Sequence, residues 1–163
     1  MKAQRNQNII PETRIKRLRA QGYLIQTDQE LSELAFGHRF AFQVCTTLLV
    51  IGVVTASLPM LSVMLILSFL GMVLPSHPFD YIYNYALASK LNKPRVPKRS
   101  AQLKFACAMA TVWIATTIIL FSSGLPIAGY IMGAMLAVVA ITVSTTDFCM
   151  PSLIYNTIFN KNI

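Results

Sequence analysis

Charge is what this sequence has least of. Only 12% of its 163 residues are charged, where a soluble domain carries about 25%. No charged side chain lies between Arg39 and Asp80, or between Lys104 and Asp147. With 55% hydrophobic residues and a mean hydropathy of +0.55, this deficit excludes an ordinary soluble domain and puts the chain in the membrane class. Acids are the scarcer sign, 6 against 14 Lys and Arg, for a net charge of +8. Cysteine is sparse as well. Cys45, Cys107 and Cys149 stand far apart, and an odd count without Cys-x-x-Cys spacing argues against a disulfide framework. Cys45 and Cys107 read as small apolar fillers inside helices. A cleavable signal peptide is not expected either. Residues 1–35 are polar and basic, so the first transmembrane helix is expected to act as its own insertion signal.

Each uncharged span holds two apolar runs split by a short turn. Phe40 to Leu58 is followed by Pro59 and then Met60 to Leu74; Leu103 to Phe121 is followed by Ser122-Ser123-Gly124-Leu125-Pro126 and then Ile127 to Val143. A helix needs roughly 20 residues to cross about 30 Å of hydrocarbon. Three runs reach that length within a few residues, and the second is shorter, which suits thinned lipid or support from its neighbours. Proline has no N–H and fits the first helical turn, so Pro59 and Pro126 each mark a stop and a new start. The fold expected is an all-α membrane protein, with four transmembrane helices arranged as two hairpins. The hairpins resemble each other: Pro78 precedes Ile82-Tyr83-Asn84, and Pro151 precedes Ile154-Tyr155-Asn156. A weak internal repeat of parallel hairpins follows. The chain divides into a basic arm (1–35), a first hairpin (36–75), a connector with an interfacial helix (76–102), a second hairpin (103–147) and a tail (148–163).

The basic residues set the expected orientation. The N-terminal segment carries Lys2, Arg5, Arg14, Lys16, Arg17, Arg19 and Arg39. The central loop carries Lys90, Lys93, Arg95, Lys98 and Arg99, with Lys104 at the next helix start, and the two turns carry none. Positive charge stays on the cytoplasmic side, so both termini and the connector are expected in the cytoplasm of a cell whose inner membrane holds the protein. Ile9 to Leu24 and Phe79 to Leu91 read as amphipathic segments on the membrane surface, the latter with Tyr81, Tyr83 and Tyr85 at headgroup level. Cations near anionic phospholipid contribute about 1 kcal/mol each. Arg14, Lys16, Arg17, Arg19, Lys93, Arg95, Lys98 and Arg99 are therefore expected to face lipid. The basic excess then needs no nucleic-acid partner.

This topology gathers His38, Arg39, His77, Asp80, Asp147 and Cys149 at the cytoplasmic ends of the helices. Histidine, carboxylate and thiolate together are zinc chemistry in principle, and His38 with His77 could in principle flank a haem. Neither has diagnostic ligand spacing, and hydrocarbon drives charged groups to the interface in any case. No cofactor is expected. Asp147 ends the fourth helix, where the dipole disfavours a carboxylate, and Arg39 or Lys104 would offset it. Gly129 and Gly133, with Ala137 following, let helices approach closely in lipid, either within the chain or against another subunit.

Near the C-terminus stands the box Phe148-Cys149-Met150-Pro151-Ser152-Leu153-Ile154-Tyr155. This box and Pro97-Lys98-Arg99 resemble, over residues 34–159, an uncharacterised bacterial membrane family of unknown function. The resemblance implies four helices in two hairpins, a basic connector and an ending like Phe-Cys-x-Gly-Cys-x-Ile-Tyr. Here Pro151 stands for the glycine and Ser152 for the second cysteine, so Cys149 has no resolving partner three residues on.

The function expected is that of a non-enzymatic accessory or scaffold subunit of a larger membrane complex. Its helices would pack laterally on other membrane protein subunits, and its basic arm would dock on a partner or on anionic phospholipid. The alternatives are small-solute transport by an oligomer and membrane thiol or sulfur chemistry through Cys149.

Overall fold

The computed structural model describes residues 9–159, and Lys2 and Arg5 lie outside them. All regular structure among the described residues is helical. It consists of α1 (Glu12–Ala20), α2 (Asp28–Val54), α3 (Leu58–Val73), α4 (Pro78–Ile82) continued by a π-helical turn (Tyr83–Leu87), α5 (Ala101–Ser122), α6 (Pro126–Thr146) and α7 (Met150–Ile158).

Three helices, α2, α5 and α6, are each long and apolar enough to cross a membrane. The 16-residue α3 is about 24 Å long. It meets that test only together with Pro78–Leu87, from which it is bent by 79°. The bend is local. Leu74 leaves the helix in an extended conformation, and Pro78 opens α4 at its first turn.

Local chemistry explains the helix ends. Thr27 and Glu30 form a capping box at the start of α2, which closes two of the orphan donors there. That start lies upstream of residue 36, so the expected boundary between arm and first hairpin falls inside a helix. Ser57 caps α3, Ser100 caps α5, and Pro126 opens α6.

The four long helices form a ring, α2–α3–α5–α6, in which α2 and α5 each pack on both α3 and α6. Small residues let two of these contacts close. A Cβ on Gly133 would lie 2.6 Å from Val53 of α2, and one on Gly129 would lie 2.7 Å from Phe121 of α5. The glycine pair therefore serves packing within the chain; Ala137 is half-buried one turn further on. One apolar cluster, with Leu49, Val53, Leu61, Met64, Ile114 and Leu136, fills the middle of the ring.

A second cluster sits at the basic end. There Ile15 and Leu18 of α1 meet Leu31, Leu34, Tyr83, Val96 and Leu103. Thus α1 is fastened to the bundle by its apolar face. Tyr83, expected at headgroup level, is fully buried, because Gly37 leaves room for its ring: a Cβ there would lie 2.5 Å away. Tyr81 and Tyr85 remain exposed.

Candidate functional site

The segments flanking the hairpins meet at the basic end, and they do so crosswise. The segment trailing the first hairpin grips the segment leading into the second. Asp80 accepts Arg99 Nε at 2.7 Å and Nη2 at 3.4 Å. Asn84 bonds both backbone groups of Val96, donating to its carbonyl at 2.9 Å and accepting from its N–H at 2.7 Å. The segment trailing the second hairpin grips the lead into the first. Asp147 pairs with Arg14, and Asn156 donates to Ala20 O at 2.8 Å while accepting from Gln102 at 3.1 Å. The two Ile-Tyr-Asn motifs thus place their asparagines in equivalent roles.

Asp147 carries the larger network. Its side chain is fully buried and accepts Arg39 Nε at 2.9 Å and Nη2 at 2.8 Å, besides Arg14. The dipole penalty foreseen for this carboxylate is offset by Arg39 and by Arg14. The same segment satisfies the last carbonyls of α6, which lack partners within the helix. Arg39 donates to Thr145 O at 2.5 Å, Arg17 to Thr146 O at 2.7 Å and Gln21 to Asp147 O at 2.7 Å. Asp147 itself adopts φ +58°, the left-handed conformation that often ends helices.

Arg14, Arg17 and Arg99, expected to face lipid, make these contacts within the chain instead of standing free. Arg99 has a side chain only 5% exposed, lies over the Phe42 ring, and is turned inward because Asp80 is the nearest carboxylate at that end. Lys16 pairs on the surface with Glu12 and Arg19 with Asp28, while Lys93, Arg95 and Lys98 are exposed.

The six residues gathered by the sequence reading separate into distinct settings. His38 shares a 3.0 Å hydrogen bond with the Tyr23 hydroxyl through Nδ1. His77 instead caps α4. Its Nδ1 accepts the Phe79 N–H at 3.3 Å, and its own N–H donates to Asp80 at 3.0 Å. Burial, and then the nearby Arg99 charge, pull the His77 pKa down to about 4, with Asp80 opposing. Of the two imidazoles, only His77 lines the cavity inside the ring. Among the described residues no three His, Cys, Asp or Glu side chains converge as a metal-ligand set.

What does converge is a cavity of about 120 Å³ inside the ring, and it takes side chains from all four long helices. Its basic end is lined by His77, Arg99 and all three cysteines, and its deeper walls include Met64, Trp113 and Leu136. Cys45 and Cys107, read as fillers, thus share a wall with Cys149. Arg99 Nη1 points at Cys107 Sγ, 3.3 Å away, and Cys45 Sγ lies 3.8 Å from His77 Nε2. Gly71 makes this approach feasible, since a Cβ there would overlap the His77 ring and come within 3.0 Å of Cys107 Sγ. Burial pushes the Cys149 thiol pKa up, so at neutral pH it is a protonated, weakly nucleophilic group. Sequence reasoning missed Arg14, Arg99, Cys45 and Cys107 as members of this end. The one available signal was one aspartate after each hairpin, each requiring a cation.

A family model for a domain of unknown function (DUF4395) matches residues 36–159, most of the chain and all four helices of the ring. The chain belongs to this family. No curated protein and no solved structure matches it. The family name assigns no activity, so function has to be argued from the basic end and the cavity beneath it.

Proposed function

We propose that this chain is a non-enzymatic accessory or scaffold subunit of a larger complex in the cytoplasmic membrane, spanning it four times with both termini inside. The observation that carries this reading is the cross-bracing of the basic end. Asp80–Arg99 and Asp147 with Arg14 and Arg39 fasten the arm and connector to helix ends, so the cap is held in one arrangement. Outside it, Lys16, Lys90, Lys93, Arg95 and Lys98 are exposed. They form a basic rim suited to anionic phospholipid or to an acidic surface on a partner.

The short turns at the far end, 55–57 and 123–125, carry no charge, which favours the side with the cations as the cytoplasmic one. Exposed apolar residues on α3 and α6, such as Ile66, Phe69, Ile131 and Val138, are available for lateral packing on other membrane subunits.

Copurification from gently solubilised membranes at native abundance tests the reading: defined membrane proteins are expected in stoichiometric amounts. Recovery of this chain alone, in every mild detergent, would overturn it. A reporter fused near Lys93 is expected inside the cell.

A further inference from the structure

The cavity inside the ring has two strong hydrogen-bond donors and only poor acceptors to receive them. Because His77 Nδ1 accepts the Phe79 N–H, the neutral ring carries its proton on Nε2. That N–H has Cys45 Sγ as its neighbour, at 3.8 Å. Arg99 spends Nε and Nη2 on Asp80 and turns Nη1 toward Cys107 Sγ. Thiol sulfur is a weak acceptor, so both N–H groups are met in the cavity by sulfur alone, and an anion would be a stronger partner for each.

Charge at this end also leans one way. Arg99 is matched by Asp80, while Arg14 and Arg39 share Asp147, so three cations meet two carboxylates at this end, and of the three only Arg99 lines the cavity. Two helices begin beside cavity residues: α5 just after Arg99 and α7 just after Cys149. Helix N-termini favour anions. The deeper walls, with Met64, Ile114 and Leu136, penalise an ion that holds its water tightly. The volume is close to that of a cavity that accepts benzene.

We propose that this cavity binds a small, weakly hydrated monoanion, held by Arg99 Nη1 and His77 Nε2–H between the thiols of Cys45 and Cys107. This site is independent of the scaffold reading and could exist in a chain with no partner.

Trp113 is the single tryptophan of the chain and lines the cavity, so it reports occupancy directly. Iodide is the probe, added to the full chain in detergent at constant ionic strength. Saturable quenching is expected, relieved by thiocyanate and unaffected by sulfate. Arg99→Lys keeps a cation for Asp80 but lacks the planar fork; iodide binding is expected to weaken by roughly tenfold or more. Ala110→Leu fills the cavity without touching His77, Arg99 or Asp80, and is expected to abolish saturable quenching.

Should either variant fail to fold, the unmodified chain still decides the matter. Thiocyanate, not sulfate, is expected to slow the reaction of Cys45 and Cys107 with a small neutral methanethiosulfonate, as mapped by mass spectrometry. Linear, unsaturable quenching that sulfate matches would overturn the proposal. So would protection of the thiols by benzene but not by thiocyanate, which would make the cavity an apolar void.

Discussion

At the residue scale, the two buried aspartates are the most informative positions, and their surroundings rank them. Removing one partner of a buried ion pair costs about 3–5 kcal/mol, because the remaining charge stays in low dielectric. Arg99 is in that position: its side chain is 5% exposed and cannot turn to water. Arg14 and Arg39 are 22% and 26% exposed, and each can partly resolvate. Asp80→Asn is therefore expected to destabilise more than Asp147→Asn, for which about 2–3 kcal/mol is a reasonable loss for charged hydrogen bonds. Asn tolerates the left-handed backbone of position 147, so that variant isolates the charge. Denaturant unfolding in detergent measures both. His77 predicts a pH dependence. Its pKa falls from an ordinary 6.5 to about 4 on folding, so between those values the unfolded chain binds more protons. Stability should then rise with pH across that window and decline as pH drops through it. Arg99 disfavours protonation there and Asp80 favours it. His77→Gln is expected to flatten this part of the profile, read as unfolding midpoint against pH.

At the element scale, the helices were legible and their partners were not. Apolar run length and the prolines at 59 and 126 marked the spans, because both act through the backbone of their own helix. The early start of α2 at Asp28 escaped notice, since Thr27-x-x-Glu30 is a short local signal set in a polar stretch. Phe79 to Leu91 was expected as one surface segment. It is a five-residue α-helix followed by a π-turn, and Tyr83 is buried beside Gly37 rather than at the surface. Gly129 and Gly133 marked a close helix contact without saying whose. The answer, Phe121 and Val53, depends on ring order. Gly133→Val is accordingly expected to push α6 off α2 and cost about 1–3 kcal/mol by overpacking. The same change at Gly52 would bring a Cβ no nearer than 3.1 Å to Leu61 and 3.4 Å to Met60 and is expected to be milder. Thermal unfolding of the two variants side by side checks the order.

At the scale of the whole molecule, the crosswise bracing makes each half of the chain a fastener for the other. The halves also share the ring, α3 with α5 and α2 with α6. A chain cut in the exposed connector near Lys93 keeps both halves of every such contact. Co-expressed fragments 1–92 and 93–163 are therefore expected to assemble and copurify through a tag on either one. Adding Asp80→Asn and Asp147→Asn together should weaken that association, because both ion pairs span the cut while the ring contacts remain. Fragments that never associate would contradict the exchange of braces. The same arrangement explains why three cysteines with no shared motif come to line one cavity. Cys45 and Cys107 sit on α2 and α5, which oppose each other in the ring, and Cys149 follows α6 at its mouth.

The sequence by itself determined that the chain is helical, that its apolar runs are long enough for a membrane, that they fall into two uncharged pairs, and that the cations gather at one end. Each of these follows from the period, length or local chemistry of one contiguous segment. Tertiary structure alone decided which arginine meets which aspartate, that Arg99 turns inward, that Tyr83 is buried, and that His77 and the thiols share a cavity. Those outcomes depend on which faces of distant helices meet around the ring, and packing between segments more than a hundred residues apart, such as Arg14 and Asp147, leaves no mark in the pattern of either one.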